Sequence, residues 1–171
     1  MPIDYKKIEK DLYQPKVSPS IVNVPVMVFI AVELLYGFSY AIKMGNKAIL
    51  DYVVPPLEGF WTGDPTVDKS TFEWTALIRQ PDFVTDDVFS SAKAALAKKR
   101  PGLDTLKAQR VAITEGLCVQ AMHIGSYDDE PATVTPMERF AVDNGIYLSD
   151  PRKVAPSKLK TIIRHPVRKV G

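Results

Sequence analysis

Residues 21–32 read IVNVPVMVFIAV and run without a turn residue into ELLYGFSYAI, residues 33–42. The first stretch is rich in Val and Ile, which predicts a β-strand, and Pro25 places its start at a sheet edge. In the second stretch the apolar residues recur at helical spacing, so that Phe38 and Ile42 share one face. The change of period predicts a strand followed directly by a helix.

The same order of elements occurs twice along the chain, which predicts an α+β fold. Two duplicated βαββ modules would form an antiparallel sheet, with helices on one side and a central ligand groove. We expect one domain over residues 1–171, with halves at about 20–80 and 104–167. Further strands are predicted at 52–61, 71–79, 117–125, 146–148 and 159–167, and further helices at 85–100 and from 135 to about 144, where Gly145 is expected to end the helix. The expected core face of the helix at 85–100 consists of Val88, Phe89, Ala92, Ala95 and Leu96.

The charge balance argues against a nucleic-acid-binding surface. The 171 residues include 22 Lys and Arg against 20 Asp and Glu, a formal net charge of +2, whereas phosphate binding normally needs a concentrated basic face. The basic residues gather near the end of the chain, where we expect a solvated strand edge. This group comprises Arg152, Lys153, Lys158, Lys160, Arg164, Arg168 and Lys169.

Other features of the sequence indicate a cytoplasmic protein. Residues 1–10 contain no signal-peptide core, and Glu33 and Gly37 interrupt the apolar stretch that raises the question of a membrane span. Cys118 is the single cysteine, which excludes an internal disulfide and fits a reducing compartment. Since Cys118 lies in an apolar run, we expect an inert core thiol.

Aromatic residues give the clearest indication of a binding site. Aromatic side chains offer large contact area with few rotatable bonds, and Tyr or Trp adds a polar group that orients a ligand. We expect most aromatics to lie in the core and a few to line a groove. The ligand-binding candidates are Trp61 and Trp74, on consecutive strands, and Tyr36, Tyr40 and Tyr147.

Three residues are candidates for acid–base chemistry. Glu58 lies in PPLEGFW beside aromatic residues, where it either orients water or faces solvent as an ordinary strand residue. His123 and Tyr127 flank Gly125 at the end of a strand, where proton transfer and a structural hydrogen bond are both open. The sequence contains no phosphate loop, nucleotide fingerprint, Ser-His-Asp elbow or zinc spacing. We therefore expect neither a metal nor a cofactor.

Several blocks of the sequence resemble the GyrI-like small-molecule-binding proteins, in a stand-alone bacterial branch. The blocks are YGFSYAIKM, VVPPLEGFW, FEWTALIRQPDFV, EGLCVQAMHIGSYDDEPATV and IYLSDPRKVAPSKLKTIIRHPV, between residues 36 and 167. The resemblance implies a pair of SHS2-type modules around a ligand groove. In the family an acidic pocket residue precedes the IYLSDP block, whereas here Gly145 stands before Ile146.

The resemblance implies a protein that binds flat, hydrophobic, in some cases cationic xenobiotics. If the chain is an enzyme, the implied activity is a detoxifying hydrolase that opens the cyclopropane ring of genotoxic compounds. The alternatives are a protein–protein inhibitor of DNA gyrase and a stand-alone effector-sensing domain of the multidrug-regulator type. The expected partner is a small hydrophobic ligand, with neither nucleic acid nor membrane, and a homodimer is a further option.

Overall fold

A computed structural model describes residues 1–31, 35–62, 73–135, 137, 144–147 and 160–166. The helices are α1 (Tyr5–Ile8), α2 (Lys10–Tyr13), α3 (Leu35–Gly45), α4 (Asp86–Lys99) and α5 (Glu130–Val134), and a short 3-10 turn spans Tyr127–Asp129. The strands are β1 (Ser20–Ala31), β2 (Leu57–Thr62), β3 (Glu73–Gln80), β4 (Gln109–Ile124), β5 (Asn144–Tyr147) and β6 (Lys160–Pro166).

The six strands close into a ring in the order β1-β3-β2-β5-β6-β4. Every neighbouring pair is antiparallel, and the ring closes because β1 pairs with β3 on one side and with β4 on the other. The predicted α+β fold with an antiparallel sheet is therefore confirmed. Both halves show the order strand, helix, strand, strand, whereas their equivalence beyond this order stays a prediction.

Helices α3 and α4 pack on what we call the outer face of the sheet. Phe38 and Ile42 of α3 and Phe89 of α4 form one buried cluster with Ile30 and Ile78 of the strands. Helix α4 begins as predicted, because the Thr85 side chain accepts a hydrogen bond from the Val88 amide. Ala95, predicted to lie on the core face of α4, is exposed, because the contact with α3 and the sheet is narrower than the apolar stripe.

The opposite face of the sheet, the inner face, carries a second buried cluster. Its strand residues are Val24, Met27, Phe29, Leu77, Cys118, Met122 and Ile162. Leu12 and Tyr13 of α2 pack into the same cluster. The inner face, where the groove is expected, is thus lined in part by a segment that precedes the first strand.

A matched bend in β1 and β4 keeps the inner face continuous. In β1, Val24 and Met27 both belong to the inner cluster, although strict alternation would place them on opposite faces. In β4, Ile113 and Cys118 show the same change of parity. Between them lies Gly116 with a φ of 69°, paired with Val24, and this left-handed conformation favours glycine.

Two sequence predictions need correction at the ends of elements. Strand β4 begins at Gln109 rather than at residue 117, because its first half is only partly buried, with Ala112 and Thr114 exposed. Asn144 and Gly145, predicted to end a helix, belong to β5 and pair with β2 and β6. Most of the helix predicted over 135–144 lies outside the described residues.

None of the helices in the described part of the chain is both long and apolar enough to cross a lipid bilayer.

Candidate active site

A cluster of polar side chains lies buried on the inner face. Strand alternation places Glu58 and Arg79 on the same face. Glu58 of β2 is the Cα partner of Leu77 of β3, and Arg79, two residues after Leu77, projects to the same side. Gln120 and Arg164 are Cα partners across β4 and β6. All four polar residues are at most 5% exposed. Burial of this kind requires internal partners for each charge.

Arg79 obtains its partners from the N-terminal segment. Its guanidinium forms a two-pronged ion pair with Glu9, in which Nη2 lies 2.9 Å from Oε1 and Nη1 contacts Oε2. The same group lies 4.1 Å from the centre of the Tyr5 ring, within the range of a cation–π contact. Nη1 also donates to the Tyr13 phenol oxygen at 3.4 Å. The segment therefore holds Arg79 in one position.

Arg164 is the centre of a second group of contacts. Nη1 lies 3.0 Å from Glu115 Oε1, Nη2 donates to the Leu12 carbonyl at 3.1 Å, and Nε donates to Gln120 Oε1 at 3.3 Å. The expected solvated position for Arg164 is wrong, because β6 is paired on both sides and Arg164 is 1% exposed. Burial raises the pKa of the Cys118 thiol to about 12, and the nearby Glu115 carboxylate contributes to the rise. This environment is the one expected for an inert thiol.

Glu58 differs from the carboxylates of Glu9 and Glu115 because it forms its hydrogen bond with a neutral phenol. The Tyr13 hydroxyl lies 3.3 Å from Glu58 Oε1. Burial raises the pKa of Glu58 from 4.5 to about 7, against the opposing effects of Arg164, Arg79 and the Tyr13 hydrogen bond. A carboxyl group whose pKa lies near neutral pH both accepts and donates protons. Of the candidate acid–base residues, Glu58 therefore has the environment that this chemistry needs.

His123 lies on the outer side of the sheet, away from Glu58. It is buried, and its ring nitrogens lie 2.8 Å from Thr133 Oγ1 and 2.9 Å from the Ser126 carbonyl oxygen. Because a carbonyl only accepts, Nε2 donates to Ser126, and Nδ1 lies at hydrogen-bond distance from the Thr133 hydroxyl. His123 thus ties β4 to the segment that leads into α5. Tyr127 lies partly buried in that segment.

Three of the predicted aromatic residues have described side chains, and these lie on the outer side. Tyr36 and Tyr40 lie on the exposed side of α3, about half exposed. Trp74 is 48% exposed, and it alternates in phase with Ala76, which packs against the outer cluster. The backbone of Trp61 is paired with that of Trp74, so the two residues lie on neighbouring strands. Tyr147 of β5 is the Cα partner of Leu57 in β2 and of Thr161 in β6.

The aromatic side chains of the inner cluster were not among the ligand-binding candidates predicted from the sequence. Tyr13 and Phe29 belong to the inner cluster, and Tyr5 and Phe60 pack against it. A signal for Phe60 was available, because it lies two residues after Glu58 on the same strand. The signal for Tyr13 was weaker: Leu12 and Tyr13 form an apolar pair within the otherwise polar segment KDLYQPK. Within the described residues, no group of three or more His, Cys, Asp or Glu side chains is placed to hold a metal ion.

Searches among protein families and among curated proteins find no match to this chain. Two solved structures from Listeria innocua are similar to it, one of an uncharacterized conserved protein and one of a hydrolase, each 38% identical over 97% of this chain and 100% of the relative. Their TM-scores are 0.91 and 0.89. The C-terminal domain of EcmrR shares the fold at 13% identity, with a TM-score of 0.53 over 90% of this chain and 98% of that domain.

Proposed function

Because this chain belongs to the family of the Listeria innocua hydrolase, we propose that it binds a flat, hydrophobic small molecule and hydrolyses it with Glu58 as the acid–base group. The resemblance to GyrI-like proteins supplies the substrate class, which is a planar genotoxic compound that carries a cyclopropane ring. The observation that carries the proposal is the buried Glu58 carboxyl, whose pKa is raised to about 7 among aromatic side chains.

The reaction requires a base for water and a proton for the broken bond. Glu58 in its ionised form takes a proton from water while the water oxygen bonds to a ring carbon of the substrate. The carbon–carbon bond breaks, and its electron pair passes into the remaining ring system, which is then protonated. One water molecule is added and Glu58 returns to its starting state. Positioned acid–base groups contribute about 10²–10⁴-fold to such steps.

Binding is proposed to depend on aromatic contacts and on exclusion of water. Phe60 and Tyr13 lie on the face of the sheet that carries Glu58, and a planar ligand gains contact area from such rings. The sequence also predicts ligand contacts for Tyr36, Tyr40 and Trp74, but these residues lie on the outer side, across the sheet from Glu58. For Trp61 and Tyr147 the ligand contact stays a prediction from the sequence. Excluding bulk water strengthens the polar contacts around the reacting atoms.

The role of Glu58 is tested by E58Q, which keeps the shape of the side chain and removes its acid–base function. We expect turnover of a planar, cyclopropane-bearing natural product to fall at least about 100-fold, with the Kd changed less than about threefold. The product is measured by mass spectrometry as substrate plus one water. D87N is the matched control, since Asp87 is exposed on α4 and should retain full activity. Undiminished turnover by E58Q contradicts the proposal.

The inner-face contact is tested by F60A and the sequence-predicted contacts by W61A and W74A, with ligand binding followed by calorimetry. Because Trp74 lies across the sheet from Glu58, W74A should leave the Kd of a ligand bound at Glu58 unchanged. Loss of a stacking contact is expected to raise the Kd about tenfold, while circular dichroism shows an intact fold. An unchanged Kd for both F60A and W61A contradicts an aromatic binding surface. Tight binding by wild type without any product favours the effector-sensing alternative.

A further inference from the structure

The N-terminal segment, residues 4–16, is fastened to the sheet at several points beside Glu58. Besides the ion pair of Glu9 with Arg79, Gln120 Nε2 donates to the Asp11 carbonyl and the Met122 amide donates to the Lys16 carbonyl at 2.9 Å. Partners on β3 and β4 thus hold the segment along the inner face. Its position is set by side chains and backbone groups together, which is typical of an integral part of a fold.

Tyr13 is the residue by which this segment reaches Glu58. Its side chain is 1% exposed, and its phenol oxygen lies 3.4 Å from Arg79 Nη1 and 3.3 Å from Glu58 Oε1. A guanidinium only donates, so the phenol oxygen accepts from Arg79. The single phenol hydrogen is then available to the ionised Glu58 carboxylate. Arg79, Tyr13 and Glu58 form a chain of hydrogen bonds with a defined direction.

We propose that Tyr13 is a positioning residue whose hydroxyl holds the Glu58 carboxylate and stabilises its ionised form. The N-terminal segment is then a working part of the site, because it supplies this hydroxyl. The inference rests on the proposed function for the importance of Glu58 in turnover. The contact and its effect on Glu58 are measured without any ligand.

The other charged groups around Glu58 do not replace Tyr13. Arg164 of β6 and Arg79 of β3 favour the ionised carboxylate, and Glu115 of β4 opposes it. Arg79 is paired with Glu9 and Arg164 with Glu115, so each positive charge already has a negative partner. Tyr13 adds a donor without adding a charge. Removing that donor should therefore shift the titration of Glu58 upward.

The test is the titration of Glu58 in Y13F, followed by carbon-13 NMR of the side-chain carboxyl in glutamate-labelled protein. The resonance is assigned by its loss in E58Q. We expect the pKa of Glu58 to rise by about one unit above the wild-type value. The limb of the pH–rate profile that reports this group should move in the same direction. A Glu58 titration identical to wild type in folded Y13F overturns the inference.

The matched control is Y52F. Tyr52 is equally buried, and its hydroxyl lies 3.2 Å from Gln80 Oε1. Gln80 follows Arg79 on β3 and therefore projects to the side of the sheet opposite Glu58. Its phenyl variant loses a comparable hydroxyl and should leave the Glu58 titration unchanged. An equal shift in Y52F and Y13F also counts against the inference.

A second variant keeps the test decisive if Y13F does not fold. Replacing Tyr13 by 3-fluorotyrosine preserves the ring and makes the hydroxyl a stronger donor, so the pKa of Glu58 should fall. No change overturns the inference. If Glu58 responds as expected but E58Q turns over substrate normally, the proposed function fails and the role of Tyr13 stands. If E58Q is inactive but the pKa of Glu58 is unchanged in both Tyr13 variants, the role of Tyr13 fails and the proposed function stands.

Discussion

At the scale of single residues, a buried ion pair is the most sensitive point of the inner face. Arg164 and Glu115 lie 3.0 Å apart with side chains 1% and 5% exposed. R164M removes the charge and leaves Glu115 buried without its partner, which should lower the free energy of unfolding by about 3–5 kcal/mol. Urea denaturation at pH 7 measures the loss.

The matched double variant separates the lost charge partner from the lost packing. R164M combined with E115Q leaves no unpaired charge, so we expect part of the stability to return. If the double variant is no more stable than R164M alone, packing and the contact with the Leu12 carbonyl outweigh the ion pair.

Glu58 could be chosen as a candidate from the sequence, whereas the residues that surround it could not be predicted. PPLEGFW places a carboxylate beside aromatic residues, and this was enough to make it a candidate. Arg79 was assigned no role and Arg164 a solvated position, because charged strand residues ordinarily face solvent. In a closed ring of strands the inner face is enclosed, and the N-terminal segment supplies partners from far away in the sequence. Neither condition is visible in a local pattern.

At the scale of elements, the bend in β4 depends on the backbone of one glycine. Gly116 has a φ of 69°, and a Cβ atom added there meets nothing within 4 Å. G116A therefore introduces backbone strain without a clash, and we expect a loss of about 1–2 kcal/mol in the free energy of unfolding. Thermal and urea denaturation measure it. Gly102 has equally open space without the unusual φ, so G102A should lie within about 0.5 kcal/mol of wild type.

The elements with a strong period were predicted well. The β-branched run of β1, the apolar face of α3 and the capped start of α4 lie where local preferences and packing agree. The start of β4 was missed because a half-buried strand has a weaker pattern. Gly145 was taken for a helix stop, although in β5 its backbone pairs with Gly59 and Ile163. Glycine indicates a helix end only when a helix is there to end.

At the scale of the whole molecule, Glu58 links stability to pH. Its pKa is about 7 in the folded chain against 4.5 for the free group, so between these values the folded state binds more protons than the unfolded state. The free energy of unfolding should therefore fall as the pH rises from 5 to 8, by about 3 kcal/mol from this group. In E58Q this contribution is absent, and its stability relative to wild type should grow over the same interval.

The measurement is urea denaturation of both proteins at half-unit steps from pH 5 to pH 8. A difference in the free energy of unfolding that stays constant across this range contradicts the raised pKa. D87N again serves as the matched control, because it replaces an exposed carboxylate on α4 by the same isosteric change.

The closed ring has a consequence for how the chain acquires its structure. Strand β6 lies between β4 and β5, so the ring is open until this strand has left the ribosome. Before that point β1 can pair only with β3 and β4. Its pairing with β4 joins residues as distant in sequence as Ser20 and Gln120. Such long-range pairing slows folding. The nascent protein must therefore pass through a stage in which the charges of its interior face water.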